Sequence, residues 1–140
     1  MAIRIQENCQ GIDWEEVHRL LDSVHMASHP LTEMRRAFEN SYRVVFAFED
    51  DSLLGIGRAV SDGAYEAAIY DVAIRPDRQG QGLGALIVKT LLEGLPGMNV
   101  ILFAMPGREG FYRKIGFARM LTGMASFVRR DAMRQKGFTD

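Results

Sequence analysis

The period of apolar positions changes along this chain, and each change marks an element. Residues 2–7 alternate in the two-residue rhythm of a half-buried strand, with Ile3 and Ile5 against Arg4 and Gln6. The period then lengthens. Trp14, Val17, Leu20, Leu21 and Val24 fall on one stripe of a helix that Asp13 and Glu16 open as a capping-box pair. Pro30 disfavours helical geometry in the residue before it, so this helix is predicted to end near 25–29. Thr32 is predicted to cap a second, shorter helix carrying Met34, Ala37 and Phe38.

Strands dominate the middle. Residues 43–49, the turn Asp50-Asp51-Ser52 and residues 53–61 read as a hairpin, and Asp62-Gly63 makes a further turn. Residues 65–74 form the most strand-like run, ended by Pro76. Leu83, Leu86, Ile87, Leu91 and Leu95 then recur at helical spacing until Gly94, Pro96 and Gly97. A buried-type strand is predicted over 99–104, and a short helix over 107–115 stopped by Gly116. One or two final strands are predicted over 117–129, broken near Gly123. The order β-α-α-β-β-β-α-β-α-β(-β) predicts an α/β fold of the mixed-sheet, α+β kind, its central sheet flanked by helices. Residues 1–130 are expected to form one domain, and 131–140 a polar tail that frays or adds a short helix.

Composition narrows the class. A length of 140 residues, 47% hydrophobic and 25% charged, is that of an ordinary globular domain. A net charge of −1 implies no broad basic face for duplex nucleic acid. No run reaches the roughly 18 apolar residues that span a membrane, so neither nucleic acid nor a membrane is an expected partner. The single cysteine, Cys9, cannot form an internal disulfide and is expected to be a buried small residue; the cytoplasm is the expected compartment.

The strongest chemical signal lies between the sixth and seventh predicted elements, in Gln79-Gly80-Gln81-Gly82-Leu83-Gly84. Alternate glycines let backbone N–H groups converge on a ligand. The unpaired first-turn amides of the helix behind them carry partial positive charge. Together they make a phosphate cradle, and each hydrogen bond to a charged group contributes about 1.5–3 kcal/mol. A nucleoside-triphosphate loop would need Gly-Lys-Ser/Thr, whereas Gly84 leads into Ala85-Leu86. A dinucleotide turn would need an acid about 20 residues on, where Ile101-Leu102-Phe103-Ala104-Met105 has none. A bare strand-to-helix connection is the remaining alternative.

The stretch from Tyr70-Asp71-Val72-Ala73-Ile74-Arg75-Pro76 to Gly84 closely resembles the acetyl-CoA motif of the GNAT superfamily of N-acetyltransferases, Arg/Gln-x-x-Gly-x-Gly/Ala. Gly110-Phe111-Tyr112-Arg113-Lys114-Ile115-Gly116-Phe117 is similar to that superfamily's second signature, a short helix ending in Phe-Tyr-x-x-x-Gly-Phe. The phrasing looks most like small bacterial and plastid members, some of which acetylate arylalkylamines or lysines. The resemblance implies a GNAT-like fold, acetyl-CoA as co-substrate, no metal, and a primary amine of a small molecule or peptide as acceptor. It implies that backbone groups of Val72, Ala73 and Ile74 pair with the pantetheine arm. The amides of Gln79, Gly80, Gln81, Gly82, Leu83, Gly84 and Ala85 would hold the pyrophosphate, and Tyr112 would protonate the departing thiolate. Pairing of final strands into homodimers is common among relatives. Met105 stands where many relatives carry an asparagine facing the cofactor.

Acetyl transfer needs a neutral amine, a polarised carbonyl and a protonated leaving thiolate. Asp71 is the first candidate base, because a carboxylate interrupts an apolar strand; turned the other way, it would only bond a neighbouring loop. Glu66 and a water chain are the alternatives. Tyr112 is the candidate acid, although Phe111 and Phe117 beside it also give it a packing role. His25 and His29 lie four apart without a completing ligand and read as a solvated helix end, with a place on the acceptor-site wall as the alternative that the resemblance implies. Arg75, Arg78, Arg108, Arg113 and Lys114 are candidates for phosphate contact or plain surface charge. A non-catalytic acyl-CoA sensor is the competing class, and the tyrosine favours catalysis.

Overall fold

The computed structural model describes residues 2–140, which form two compact units, one running to Leu102 and the other Phe103–Asp140. The first unit carries the sheet. Its elements are β1 (Ile3–Gln6), α1 (Trp14–Ser23), α2 (Leu31–Glu39), β2 (Arg43–Glu49), β3 (Ser52–Ser61), β4 (Glu66–Ile74), α3 (Leu83–Glu93) and β5 (Asn99–Ile101), with one 3-10 turn at Pro76–Arg78. The sheet order is β1-β2-β3-β4-β5. The first four strands pair antiparallel, and β5 joins β4 in parallel after the α3 crossover. This is the mixed α/β architecture expected.

Both faces of the sheet are covered, so β2 and β3 read as continuous apolar runs rather than alternating ones. On one face, Trp14, Val17, Leu20 and Leu21 of α1 and Met34 and Phe38 of α2 pack with Val44, Phe46, Phe48 and Ile56. Trp14, Phe38 and Phe46 form a ring cluster with centroids 5.8–6.1 Å apart, tilted or edge-on as ring quadrupoles prefer. Cys9 is only partly buried against this cluster, and burial raises its thiol above the ordinary value.

On the opposite face α3 comes close to β3 over two glycines. A Cβ placed at Gly57 would lie 2.8 Å from Ile87 Cγ2 and 3.1 Å from Leu91 Cδ1; one at Gly55 would lie 2.6 Å from Ile74 Cδ1 and 2.7 Å from Ile87 Cδ1. Small residues here set the height of α3 above the sheet.

Local capping differs from the sequence expectation at two helices. Asp13 caps α1 as predicted, accepting from the amides of Glu15 and Glu16. The capping box does not close, because the Glu16 carboxylate instead accepts from the amide of Leu53, 3.2 Å away on β3. A tertiary partner has replaced the local one. Helix α2 begins two residues earlier than a Thr32 cap requires: Pro30 is its N-cap, with no side-chain cap bond.

The second unit holds α4 (Glu109–Ile115) and α5 (Arg130–Gln135), and no strand forms over 117–129 among the described residues. A strand exists only against a neighbour. No amide from Ala118 to Arg129 donates to a backbone carbonyl among the described residues, and Met120, Leu121, Met124 and Val128 are exposed. The unit is held by an edge-to-face cluster of Phe103, Phe127 and Phe138, with centroids 5.5–6.3 Å apart. The tail therefore contributes an anchor, Phe138, as well as the short helix expected of it. Strand β5 stops at Ile101 rather than running to 104.

Overpacking the α3 contact tests the role of its glycines. Gly57→Val should lower the unfolding free energy by about 1–3 kcal/mol, read from the urea midpoint. An unchanged midpoint would show that α3 can lift without cost.

Candidate active site

The predicted cofactor strand has an unusual backbone. Its parallel ladder with β5 covers only Glu66, Ala67 and Ala68. On the other side β4 stays paired with β3 as far as Ile74. From Ile69 to Ile74 no strand pairs with the β5-facing side among the described residues, so backbone donors and acceptors there lie outside any ladder.

Within this half the register slips. Ile56 lies opposite Ala73 and Arg58 opposite Tyr70, so three steps along β4 face two along β3. The extra residue is a β-bulge, and Asp71 sits in it at φ +56°. A left-handed backbone is strained for a residue with a Cβ, by roughly 1–2 kcal/mol, although aspartate tolerates it better than most. What holds it is visible. Arg58 Nε donates to Asp71 Oδ2 at 2.6 Å, and the guanidinium lies 5.2 Å from the Tyr70 ring centroid and 5.8 Å from that of Phe38. The pair is mostly shielded, with the two side chains 17% and 27% exposed.

The chain leaves β4 with the Arg75 amide donating to the Leu54 carbonyl, itself the bulged residue of β3. After the Pro76–Arg78 turn come Gly80 at φ +77° and Gly82 at φ +85°. Left-handed backbone selects glycine at both positions. A Cβ at either would meet nothing within 4 Å, so the loop is open on its outer side. The first helical bond of α3 runs from the Leu86 amide to the Gly82 carbonyl, which leaves the amides of Leu83, Gly84 and Ala85 ahead of it without helical acceptors. These donors and the positive end of an eleven-residue helix fit a phosphate group.

Three side chains brace the loop. Arg78 reaches back to β2 and donates to both oxygens of Glu49, at 2.9 and 3.2 Å, while its Nε donates to Gln81 Oε1. Gln79 Nε2 donates to the Ile74 carbonyl at 3.1 Å, so one of the backbone groups predicted for the pantetheine arm already has a partner. The Arg78 bond holds the Glu49 carboxyl below its usual range. Glu66 is held by Asn99, whose side-chain amide donates to it at 3.0 Å across the β4–β5 ladder.

Tyr112 lies in the second unit on α4, which ends at Gly116 with φ +112° and a Phe117 amide bonded to the Tyr112 carbonyl. Its ring packs edge-on against Phe111 and Phe117 at 4.9 and 5.7 Å. Burial pushes its phenol above the ordinary value near 10, so it keeps its proton through neutral pH. The packing role and the acid role are therefore compatible. His25, at φ +61°, lies beyond the end of α1, and His29 pairs with Glu33, so they share no helical face.

The sequence profile of the acetyltransferase (GNAT) family matches residues 14–117. The chain belongs to this family. A GNAT relative from Porphyra purpurea, the uncharacterized N-acetyltransferase ycf52, is 36% identical over 119 residues, 80% of this chain and 68% of that protein. Serotonin N-acetyltransferase 2, chloroplastic, of rice is 30% identical over 140 residues, 93% of this chain and 70% of that one. Among solved structures, a GNAT family protein from Streptococcus pneumoniae superposes with a TM-score of 0.78 at 26% identity, covering 91% of this chain and 99% of its own. A probable acetyltransferase from Staphylococcus aureus reaches 0.81 at 21% identity over 91% and 99% of the two chains.

Sequence reasoning named the strand and loop of this GNAT chain but missed Arg58 and Glu49. The signal for Arg58 was present, since it interrupts one apolar strand as Asp71 interrupts the next. Glu49 carried none, being an acid at a strand end like many others. Because the carboxyl of Glu49 is depressed, its pairing with Arg78 stabilises the fold above the unfolded value of 4.5 and is lost as pH falls through the lower folded value. Glu49→Gln should remove that component of the acid limb in a series of melting temperatures. A wild-type and variant pair with superimposable acid limbs would separate Glu49 from loop stability.

Proposed function

We propose that the protein is an acetyl-CoA-dependent N-acetyltransferase acting on a primary amine. The observation that carries this reading is the half of β4 outside the β5 ladder leading directly into the Gly80–Gly82 loop. A thioester co-substrate with a peptide-like arm and a pyrophosphate needs those two features end to end. Backbone groups of Val72, Ala73 and Ile74 are assigned to the arm, and the amides from Gln79 to Ala85 to the pyrophosphate. No helix among the described residues is long and apolar enough to cross a membrane, and we place the enzyme in the cytoplasm.

Acetyl-CoA supplies an activated acyl carbon; the rest is the work of the chain. A lysine-like amine is mostly protonated at pH 7, and freeing its lone pair costs about 4–5 kcal/mol. Asp71 is assigned as the base. Its Oδ2 is committed to Arg58, which leaves Oδ1 to take the amine proton. One C–N bond forms as one C–S bond breaks, Tyr112 gives its phenol proton to the departing sulfur, and the second nitrogen proton, released as the amide forms, passes through water to the tyrosinate. A backbone N–H from Val72 to Ile74 is assigned to the acyl oxygen. The reading requires 1–130 to act as one domain, with 131–140 appended.

The acceptor is assigned to small-molecule or peptide amines, in keeping with relatives named for serotonin and for histone. Assembly as a homodimer is supported by the exposed apolar run of Met120, Leu121, Met124 and Val128. Light scattering should give twice the 15.7 kDa chain mass; a monomer at assay concentration would remove that assignment.

Free-thiol release from acetyl-CoA across a panel of arylalkylamines and lysine peptides tests the activity. Binding without thiol release across the panel would instead make the protein an acyl-CoA sensor. Tyr112→Phe should cut turnover by about 10²–10⁴ with little change in acetyl-CoA affinity. Asp71→Asn should shift the pH profile. Unchanged turnover in the first, or an unchanged profile in the second, removes that residue from its role.

A further inference from the structure

We propose that Arg58 is a positioning residue that holds Asp71 in the β4 bulge and so keeps the strand shaped for acyl transfer. The inference rests on the acetyltransferase reading above and adds to it a residue on β3 that touches neither co-substrate nor acceptor in that reading.

Asp71 is strained where it stands. Asp71 is one of three residues other than glycine with a positive φ among those described, and the other two lie in turns, His25 after α1 and Asp50 between β2 and β3. Asp71 alone has this conformation inside a strand. Such a backbone persists only where the surroundings over-determine it. In a regular β4, Asp71 would carry its side chain across the ladder in the two-residue rhythm of its neighbours. The bulge breaks that rhythm, and the carboxylate meets Arg58 at 2.6 Å.

Arg58 is itself fixed from several directions. It lies over the rings of Phe38 and Tyr70, and its Nη1 is 3.5 Å from the Ser41 hydroxyl, which donates to the Ala37 carbonyl at the end of α2. The guanidinium therefore links three elements: α2 through Phe38 and Ser41, its own strand β3, and the bulge of β4. A planar, stacked guanidinium does this where a lysine ammonium would keep the charge but lose the stacking and the directed Nε bond. Through Asp71 it sets the direction of the next backbone groups, Val72 and Ala73, which carry the assigned contacts to the pantetheine arm. The phosphate loop is braced separately by Arg78 on Glu49. Loss of Arg58 should accordingly affect chemistry and leave anchoring of the co-substrate in place.

The test compares wild type, Arg58→Met and Arg58→Lys. The Cα and Cβ chemical shifts of Asp71 report its left-handed backbone, while kcat, KM for acetyl-CoA and coenzyme A affinity by calorimetry report the consequence. Arg58→Met should move the Asp71 shifts to extended values and lower kcat by about 10²-fold, the usual effect of misplacing a reacting group by about 1 Å. KM and coenzyme A affinity should stay within about threefold, since misplacement of the reacting groups leaves the phosphate anchor intact. Arg58→Lys keeps the charge, and with it the fold, and should recover part of kcat. Asp71 shifts unchanged in Arg58→Met, or kcat within about twofold of wild type in both variants, would overturn the proposal. If wild type itself transfers no acetyl group, the enzymatic reading fails. The chemical shifts then still decide whether Arg58 holds Asp71.

Discussion

A strand with a sheet partner on only one side must satisfy its other backbone groups elsewhere, and β4 meets this condition beyond Ala68. The rest of the first unit is arranged around that half-strand. Its β3 side is fixed by pairing and by the Arg58–Asp71 bond, and its end is fixed by the Arg75 amide on Leu54. Helix α3 must then start where β4 stops. The close approach over Gly55 and Gly57 sets the helix height, and the two left-handed glycines turn the chain into it. One open strand side thus leads through the two glycines to the unpaired amides at the start of α3.

Much of this was legible in the sequence because it is local. Apolar runs bounded by turns placed β2, β3 and β4, and the 3.6-residue period placed α3, each within a residue or two, whereas α1 stops at Ser23, short of the 25–29 expected from Pro30. Gly116, placed by the sequence at a helix cap, adopts a left-handed one, and Gly80 and Gly82, marked by their alternate spacing, prove left-handed as well. The family's two signatures lie in such local segments, which is why they could be recognised without a structure.

What escaped was set by distant partners. Glu16 was placed in a capping box by its spacing from Asp13, but the Leu53 amide on β3 competes for its carboxylate and wins. Asp71 was identifiable as an odd charge in an apolar strand, yet its bulge and its bond to Arg58 depend on register between strands, which period alone does not encode. The strands expected over 117–129 fail for a related reason. Large apolar residues recur there, but no neighbouring backbone takes up a ladder. Phe138 was read as part of a polar tail because one aromatic in ten residues carries little weight until Phe103 and Phe127 are seen around it.

The strut from Arg78 to Glu49 and Gln81 also has a bearing on how fast a ligand leaves. A phosphate loop that stays mobile until occupied loses conformational entropy at each encounter, and that loss weakens binding. Here Arg78 ties the loop to Glu49 of β2 and to Gln81, so part of that ordering belongs to folding itself. Affinity of such a loop then rests on its converging amides and the helix end behind them, with less lost to ordering. In the proposed reaction a spent carrier must leave each cycle, and a cradle built of backbone amides allows binding without long residence.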